Sequence, residues 1–94
     1  DGIVELIDIN QKDGCEVWAM KAPNFLLKYI AKKGSISING VSLTINEING
    51  DIFKINLIPF TLGHTSFKFN KINDSLNIEV DMLARYVETI LAKN

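Results

Sequence analysis

A single cysteine (Cys15) and a single histidine (His64) are all this 94-residue chain has of the two residue types that most often hold soft metal ions. An intrachain disulfide is excluded, and the usual Cys/His zinc site is not available within one chain, so no metal is expected. Charge of neither sign dominates. Ten basic residues face eleven acidic ones, leaving a net charge of −1 and no electrostatic footprint for nucleic acid or an anionic membrane. No apolar run is longer than a few residues, so nothing here spans a bilayer as a helix. The lone cysteine fits a reducing compartment, and the expected location is the cytoplasm. The chain opens on Asp1 rather than a methionine, so a fragment, a processed form or a partly ordered chain is expected.

What is present in quantity is alternation. With 47% apolar and 22% charged residues the composition is that of an ordinary folded domain with room for one core. Across Lys33–Asn46, Ile36, Ile38, Val41, Leu43 and Ile45 alternate with Ser35, Ser37, Asn39, Ser42, Thr44 and Asn46, with Gly40 between the two halves. Successive side chains of a strand point to opposite faces. If the apolar row packs a core, the other row is an outward stripe of hydroxyls and amides. That stripe is either solvated surface or a hydrogen-bonding platform for a polyhydroxylated ligand.

The remaining elements follow from the same signals. Ile3–Ile9 reads as a strand ending in the turn cluster Asn10–Gly14, and Cys15–Met20 as its partner. There Cys15 is expected in the core, with Trp18, Glu16 and Met20 on the opposite face. Phe25, Leu26, Tyr29 and Ile30 recur at helical spacing, with Pro23 suited to a first turn and Gly34 to a stop, predicting a short helix over 23–32. Asn49-Gly50 is the strongest hairpin signal, with positive φ expected at both positions. The strand Ile52–Ile58 then runs back, with Phe53, Ile55 and Leu57 on one face and Lys54, Asn56 and Ile58 on the other, until Pro59 ends it. Residues 60–65 are expected to form a compact connector of about one helical turn, 66–69 a short edge strand and 75–81 a last strand. Met82–Lys93 closes the chain as a helix with Leu83, Val87, Ile90 and Leu91 on one face. The expected fold is all-β: a small six-stranded antiparallel Greek-key β-barrel with one short internal helix and a C-terminal helix. Residues 1–81 form the barrel, and 82–94 form a helix expected at a subunit contact.

Asn39-Gly40-Val41-Ser42-Leu43-Thr44-Ile45-Asn46, Leu57-Ile58-Pro59-Phe60-Thr61-Leu62, Asn77-Ile78-Glu79-Val80-Asp81 and Leu83-Ala84-Arg85-Tyr86-Val87-Glu88 occur here in this order. Together with Ala22-Pro23, Tyr29-Ile30 and Lys33-Gly34 they resemble the carboxy-terminal, lumazine-binding barrel of riboflavin synthase. The resemblance covers nearly the whole chain. It implies an enzyme with two such barrels in one polypeptide, of which this is the second and the N-terminal barrel lies upstream. The implied reaction is a dismutation. Two molecules of 6,7-dimethyl-8-ribityllumazine exchange a four-carbon unit, giving riboflavin and 5-amino-6-ribitylamino-uracil. No cofactor is implied, because the acidic C7 methyl group and the pteridine ring supply the carbanion chemistry. The protein stacks two heterocycles and moves protons. A homotrimer with active sites between barrels of different subunits is also implied.

The same resemblance gives residues their roles. Ser42 and Thr44 contact the lumazine, with Ser42 near the reacting carbons, and both otherwise read as surface strand residues. Ile58 lies against the ring and Thr61 at its pyrimidine edge, where an exposed isoleucine would otherwise be unremarked. Asp81 is an acid/base or ribityl-binding carboxylate, or only the cap of the final helix. Lys33 touches the ligand's oxygen-rich periphery, or is a routine charge at a helix end. Asn39 has a supporting role at a position where relatives often carry Asp. His64 reads as structural, and Phe60 replaces a polar residue at the pocket mouth. A rival reading on the same barrel is a non-catalytic lumazine or flavin carrier. A small oligonucleotide-binding barrel would need a basic groove with interleaved aromatics, which the charge balance disfavours.

Overall fold

A computed structural model describes residues 2–81, 86–87 and 89–91. Six strands carry the architecture: β1 (Gly2–Lys12), β2 (Cys15–Lys21), β3 (Ser35–Ile38), β4 (Val41–Asn49), β5 (Ile52–Leu57) and β6 (Ser75–Val80). They close into a barrel in the order β1-β2-β5-β4-β3-β6, and every paired neighbour is antiparallel. Three hairpin-linked strands, β3, β4 and β5, with β6 returning beside β3, make the Greek key. Closure leaves no exposed sheet edge, which a sheet of strands this short would otherwise present.

The core is the inward row of the alternation. Leu6, Met20, Ile38, Ile45, Phe53, Ile55, Leu57 and Ile78 are all sealed inside. Two plugs close the barrel. Leu26, on a 3-10 helix at Asn24–Tyr29, follows the end of β2, and Phe67, on a second one at Ser66–Phe69, lies beyond the end of β5. Because β2 and β5 run antiparallel, with Glu16 opposite Leu57, the plugs sit at opposite ends. Phe67 meets Trp18 edge to face at 5.3 Å between centroids.

Several local expectations are corrected. The short helix expected over 23–32 is present as a 3-10 helix confined to 24–29, with Leu26 buried. Residues 66–69 form a 3-10 helix instead of an edge strand, capped by the Thr65 hydroxyl, which accepts the Phe67 N–H. The connector, expected to make about one helical turn, does so as α1 (Pro59–His64), with Pro59 in its first turn. β1 continues to Lys12, and its turn shrinks to Asp13-Gly14, both at positive φ. The β4–β5 turn is shifted by one residue. Asn49 pairs with Ile52, so Gly50-Asp51 are the central residues, with positive φ at Gly50 alone. That is the sign pattern of a II′ turn, for which glycine comes first. Two positive φ angles occur instead at Asn39-Gly40 between β3 and β4, as they do at Asp13-Gly14. The faces of β2 are also exchanged. Trp18 and Met20 are buried while Cys15 is half-buried, since the larger apolar groups gain more by leaving water. The Trp18 indole N–H stays satisfied by Glu16 Oε1 at 2.9 Å.

Tyr86, Val87, Thr89, Ile90 and Leu91 are helical and exposed. Leu83 and the rest of the expected terminal helix (82–85, 88 and 92–94) lie outside the described residues. No helix among the described residues is long and apolar enough to cross a membrane.

Candidate functional site

The outward row of β6, β3 and β4 is brought into line by register. Ser37 stands opposite Glu79 on one side and Ser42 on the other, and Ser35 stands opposite Thr44. Asp81 follows β6 on the same side. These strands therefore present hydroxyls and carboxylates abreast on the barrel's outer wall. Ser42 and Thr44 are exposed, whereas Ile45, the next residue along β4, is buried.

Two hollows open on this wall. One, of about 340 Å3, is bordered by Ser35, Ser37, Ser42, Glu79 and Asp81, with Ile36 and Val80 at its floor. The other, of about 400 Å3, is bordered by Ser42, Leu43, Thr44, Asn46, Asn56, Ile58 and Thr61. Ser42 lines both, so the two form one tract. Each has the volume of a small-ligand site. Ile58 is 51% exposed at the last position before α1, and the helix places Thr61 on the same rim. Thus Ser42, Thr44, Ile58 and Thr61 share a hollow, and Asp81 shares the adjoining one with Ser42.

Lys33 and Asn39 border neither hollow, and each makes hydrogen bonds that hold the strands. Lys33 adopts positive φ, and its N–H donates to Ile45 O at 2.7 Å where β3 begins to pair with β4. Asn39, also at positive φ, ties the β3–β4 tip to β6. Its Oδ1 accepts the Asn77 N–H at 2.9 Å, and its own N–H donates to Asn77 O at 2.9 Å. His64 is likewise occupied. Its Nδ1 lies 2.8 Å from Phe60 O, so that nitrogen carries the proton, and its ring stacks on Phe60 at 4.0 Å. No group of three potential metal-ligating side chains comes together among the described residues.

Sequence reasoning left Ser35, Ser37, Glu79, Asn46 and Asn56 out of the site. The first three follow from the hairpin register once Asn39-Gly40 is taken as a two-residue turn, because that turn sets Ser37 opposite Ser42. The two asparagines depend on an irregularity with no sequence signal. The β4–β5 pairing passes from Ile45–Ile55 to Glu47–Lys54, which makes Asn46 an extra, bulged residue.

Residues 1–81 match the family model described as the lumazine binding domain. The chain belongs to the lumazine-binding domain family. Among curated relatives, riboflavin synthase of Photobacterium phosphoreum is 37% identical over 92 residues, covering 97% of this chain and 42% of that protein. Riboflavin synthase of Bacillus subtilis (strain 168) is 38% identical over 93 residues, covering 99% of this chain and 43% of that protein. The chain therefore spans less than half the length of these relatives. Among solved structures, LumP complexed with 6,7-dimethyl-8-(1'-D-ribityl) lumazine superposes with a TM-score of 0.78 at 23% identity, over 86% of this chain and 45% of that one. At that identity the likeness is one of fold, and it is the fold of a lumazine-binding domain.

Proposed function

We propose that this barrel holds one molecule of 6,7-dimethyl-8-ribityllumazine on its outer wall and serves, within a longer riboflavin synthase, the dismutation to riboflavin and 5-amino-6-ribitylamino-uracil. The observation that carries this reading is the shared hollow of Ser42, Thr44, Ile58 and Thr61, continuous through Ser42 with Asp81. Ile58 offers an apolar face to the flat bicycle, and the hydroxyls of Thr44 and Thr61 offer donors and acceptors to its edge. Ser42 stands where the two hollows meet, beside the reacting carbons. Asp81 and Glu79 are acceptors for the ribityl hydroxyls, and Asp81 is also placed to take or return a proton. Lys33 and Asn39 act on the site by holding the strands that form its wall.

The wall covers one face of a ligand only. A second barrel must cover the other face, stacking two heterocycles so that the C7 methyl group of one loses its proton and the four-carbon unit passes to its neighbour. Stacking of this kind turns a bimolecular encounter into an oriented one, which is where most of the acceleration would arise. The upstream barrel and a homotrimeric assembly supply that partner, with Tyr86, Val87 and Ile90 of the terminal helix at the subunit contact. Their exposure supports this arrangement.

The test is turnover. The full-length protein converts lumazine to riboflavin with no added cofactor, and Ser42→Ala lowers kcat by a larger factor than it raises KM. A well-assembled protein that binds lumazine without forming riboflavin would establish the carrier reading instead. Equal losses in kcat/KM and affinity would restrict Ser42 to binding.

A further inference from the structure

Asparagine is followed by glycine at two places in this chain, Asn39-Gly40 and Asn49-Gly50. That dipeptide has a chemistry of its own. The backbone nitrogen of the second residue attacks the asparagine Cγ, a five-membered succinimide closes and ammonia leaves. Water then opens either ring carbonyl, giving an aspartyl or a β-linked isoaspartyl residue. A side chain on the second residue crowds the attack, and glycine has none. No other asparagine here precedes a glycine.

The two sites differ in what holds the asparagine. A Cβ added at either glycine would meet nothing within 4 Å beyond its chain neighbours, so the attacking side is equally open at both. Asn39 is half-buried and its carbonyl is in use. Its Oδ1 accepts the Asn77 N–H at 2.9 Å, which draws the amide toward β6. Turning that side chain onto the Gly40 nitrogen strands the Asn77 N–H. Asn49 is exposed, and among the described residues its side chain makes no hydrogen bond. The Gly50 nitrogen lies beyond the β4–β5 ladder, which ends at Asn49–Ile52. Ring closure at Asn49 therefore disturbs only the last pair of a ladder, where strands fray.

We propose that Asn49 is a site of spontaneous succinimide formation and deamidation in the folded protein, and that the bond to Asn77 shields Asn39. The reaction consumes one water and releases one ammonia. Its products fall on a turn that anchors the barrel. Asp51 O accepts the Ala22 N–H at 2.8 Å, and the Asp51 carboxylate lies 3.9 Å from the Lys21 ammonium, so this turn ties β4 and β5 to the end of β2. Deamidation adds a second carboxylate two residues from Asp51. The isoaspartyl product also lengthens the backbone by one carbon where Asn49 pairs with Ile52. None of this depends on the ligand.

The test is ageing of the folded chain at mildly alkaline pH, well below its Tm. Cleavage after Glu47 separates the two asparagines, and mass spectrometry reads the replacement of NH2 by OH at each. Asn49 is expected to convert about fivefold faster than Asn39, the ratio that corresponds to one hydrogen bond of about 1 kcal/mol. In urea the two rates should converge, because both sites are then Asn-Gly in an open chain. Asn49→Gln, which would have to close a six-membered ring, should stop conversion at that position and leave the Asn39 rate as it was. Isoaspartyl methyltransferase should label the aged wild-type chain more strongly than the aged Asn49→Gln chain. Equal rates in the folded chain, or faster conversion at Asn39, overturn the proposal. So does an Asn49 that converts in urea and stays intact in the folded chain. A difference between the sites that persists in urea overturns the shielding by Asn77.

Discussion

Replacing Asn39 tests how much the β3–β4 turn and its bonds to β6 contribute to the stability of the barrel. Asn39 sits at a φ of 48° and accepts the Asn77 N–H at 2.9 Å. Asn39→Gly keeps the left-handed backbone accessible and removes only the side-chain bond, at a cost of about 1 kcal/mol. Glycine is freer than asparagine in the unfolded chain, which adds about 0.4–1 kcal/mol, and taking the Cβ out of the left-handed region offsets about as much. Asn39→Ala removes the bond and keeps a Cβ in that region without the polar side chain that lets asparagine adopt it, at a further cost of about 1 kcal/mol. The alanine variant should therefore lose about 2 kcal/mol in all. In a domain this small each kcal/mol moves Tm by about 4–8 °C, so the expected drops are about 4–8 °C for glycine and about 8–15 °C for alanine. Thermal unfolding followed by circular dichroism measures both. Because Asn39 borders neither hollow, lumazine affinity well below Tm should change by less than about twofold, a shift under 0.5 kcal/mol. Equal stability of the two variants would refute the argument from φ. An unchanged Tm in the glycine variant would refute the role of the bond across to β6.

Two further outcomes follow from the packing and charges. Phe67→Ala empties the plug beneath α1 and strips Trp18 of its edge-on partner, so a loss of about 3–5 kcal/mol is expected by urea unfolding; a loss under about 1 kcal/mol would mean that the barrel end closes by other means. Asp74 is held below the ordinary carboxylate value of 3.8 by the backbone N–H of Lys71 at 2.9 Å and then by the Asn70 amide at 3.2 Å. A carboxylate whose folded pKa is depressed binds fewer protons folded than unfolded. Its contribution is therefore complete above 3.8 and is lost as pH falls through the lower folded value. Asp74→Ala should accordingly be less stable than wild type at neutral pH, with the difference narrowing in strong acid. A difference independent of pH would show that the charge is not what the turn uses.

Much of the barrel was legible because strand alternation is a local property. Where apolar and polar residues alternate, as from Ser35 to Ile45, the inward row is fixed by period alone, and of that row Ile36, Ile38 and Ile45 are buried and Val41 and Leu43 half-buried. The misread elements are those whose form depends on what lies across the core. Residues 66–69 alternate weakly and could pair as a strand. They coil instead because Phe67 is needed to close the barrel against Trp18. Cys15 and Trp18 could each have faced inward by period, and volume decided between them once the neighbouring strands were in place. The turn falls at Gly50-Asp51 and not at Asn49-Gly50 because Asn49 is taken into the ladder opposite Ile52.

From the sequence alone came the all-β class, the outward stripe of Ser42 and Thr44, and the family, all of which depend on residue order and short-range period. Only the tertiary structure decided which other side chains join that stripe. Glu79 and Ser37 reach it because β6 returns to pair with β3, and Asn56 meets Asn46 because one extra residue bends β4. Both are outcomes of long-range pairing. Strand order and a bulge are set by how the whole core packs, and no local pattern in the chain encodes them.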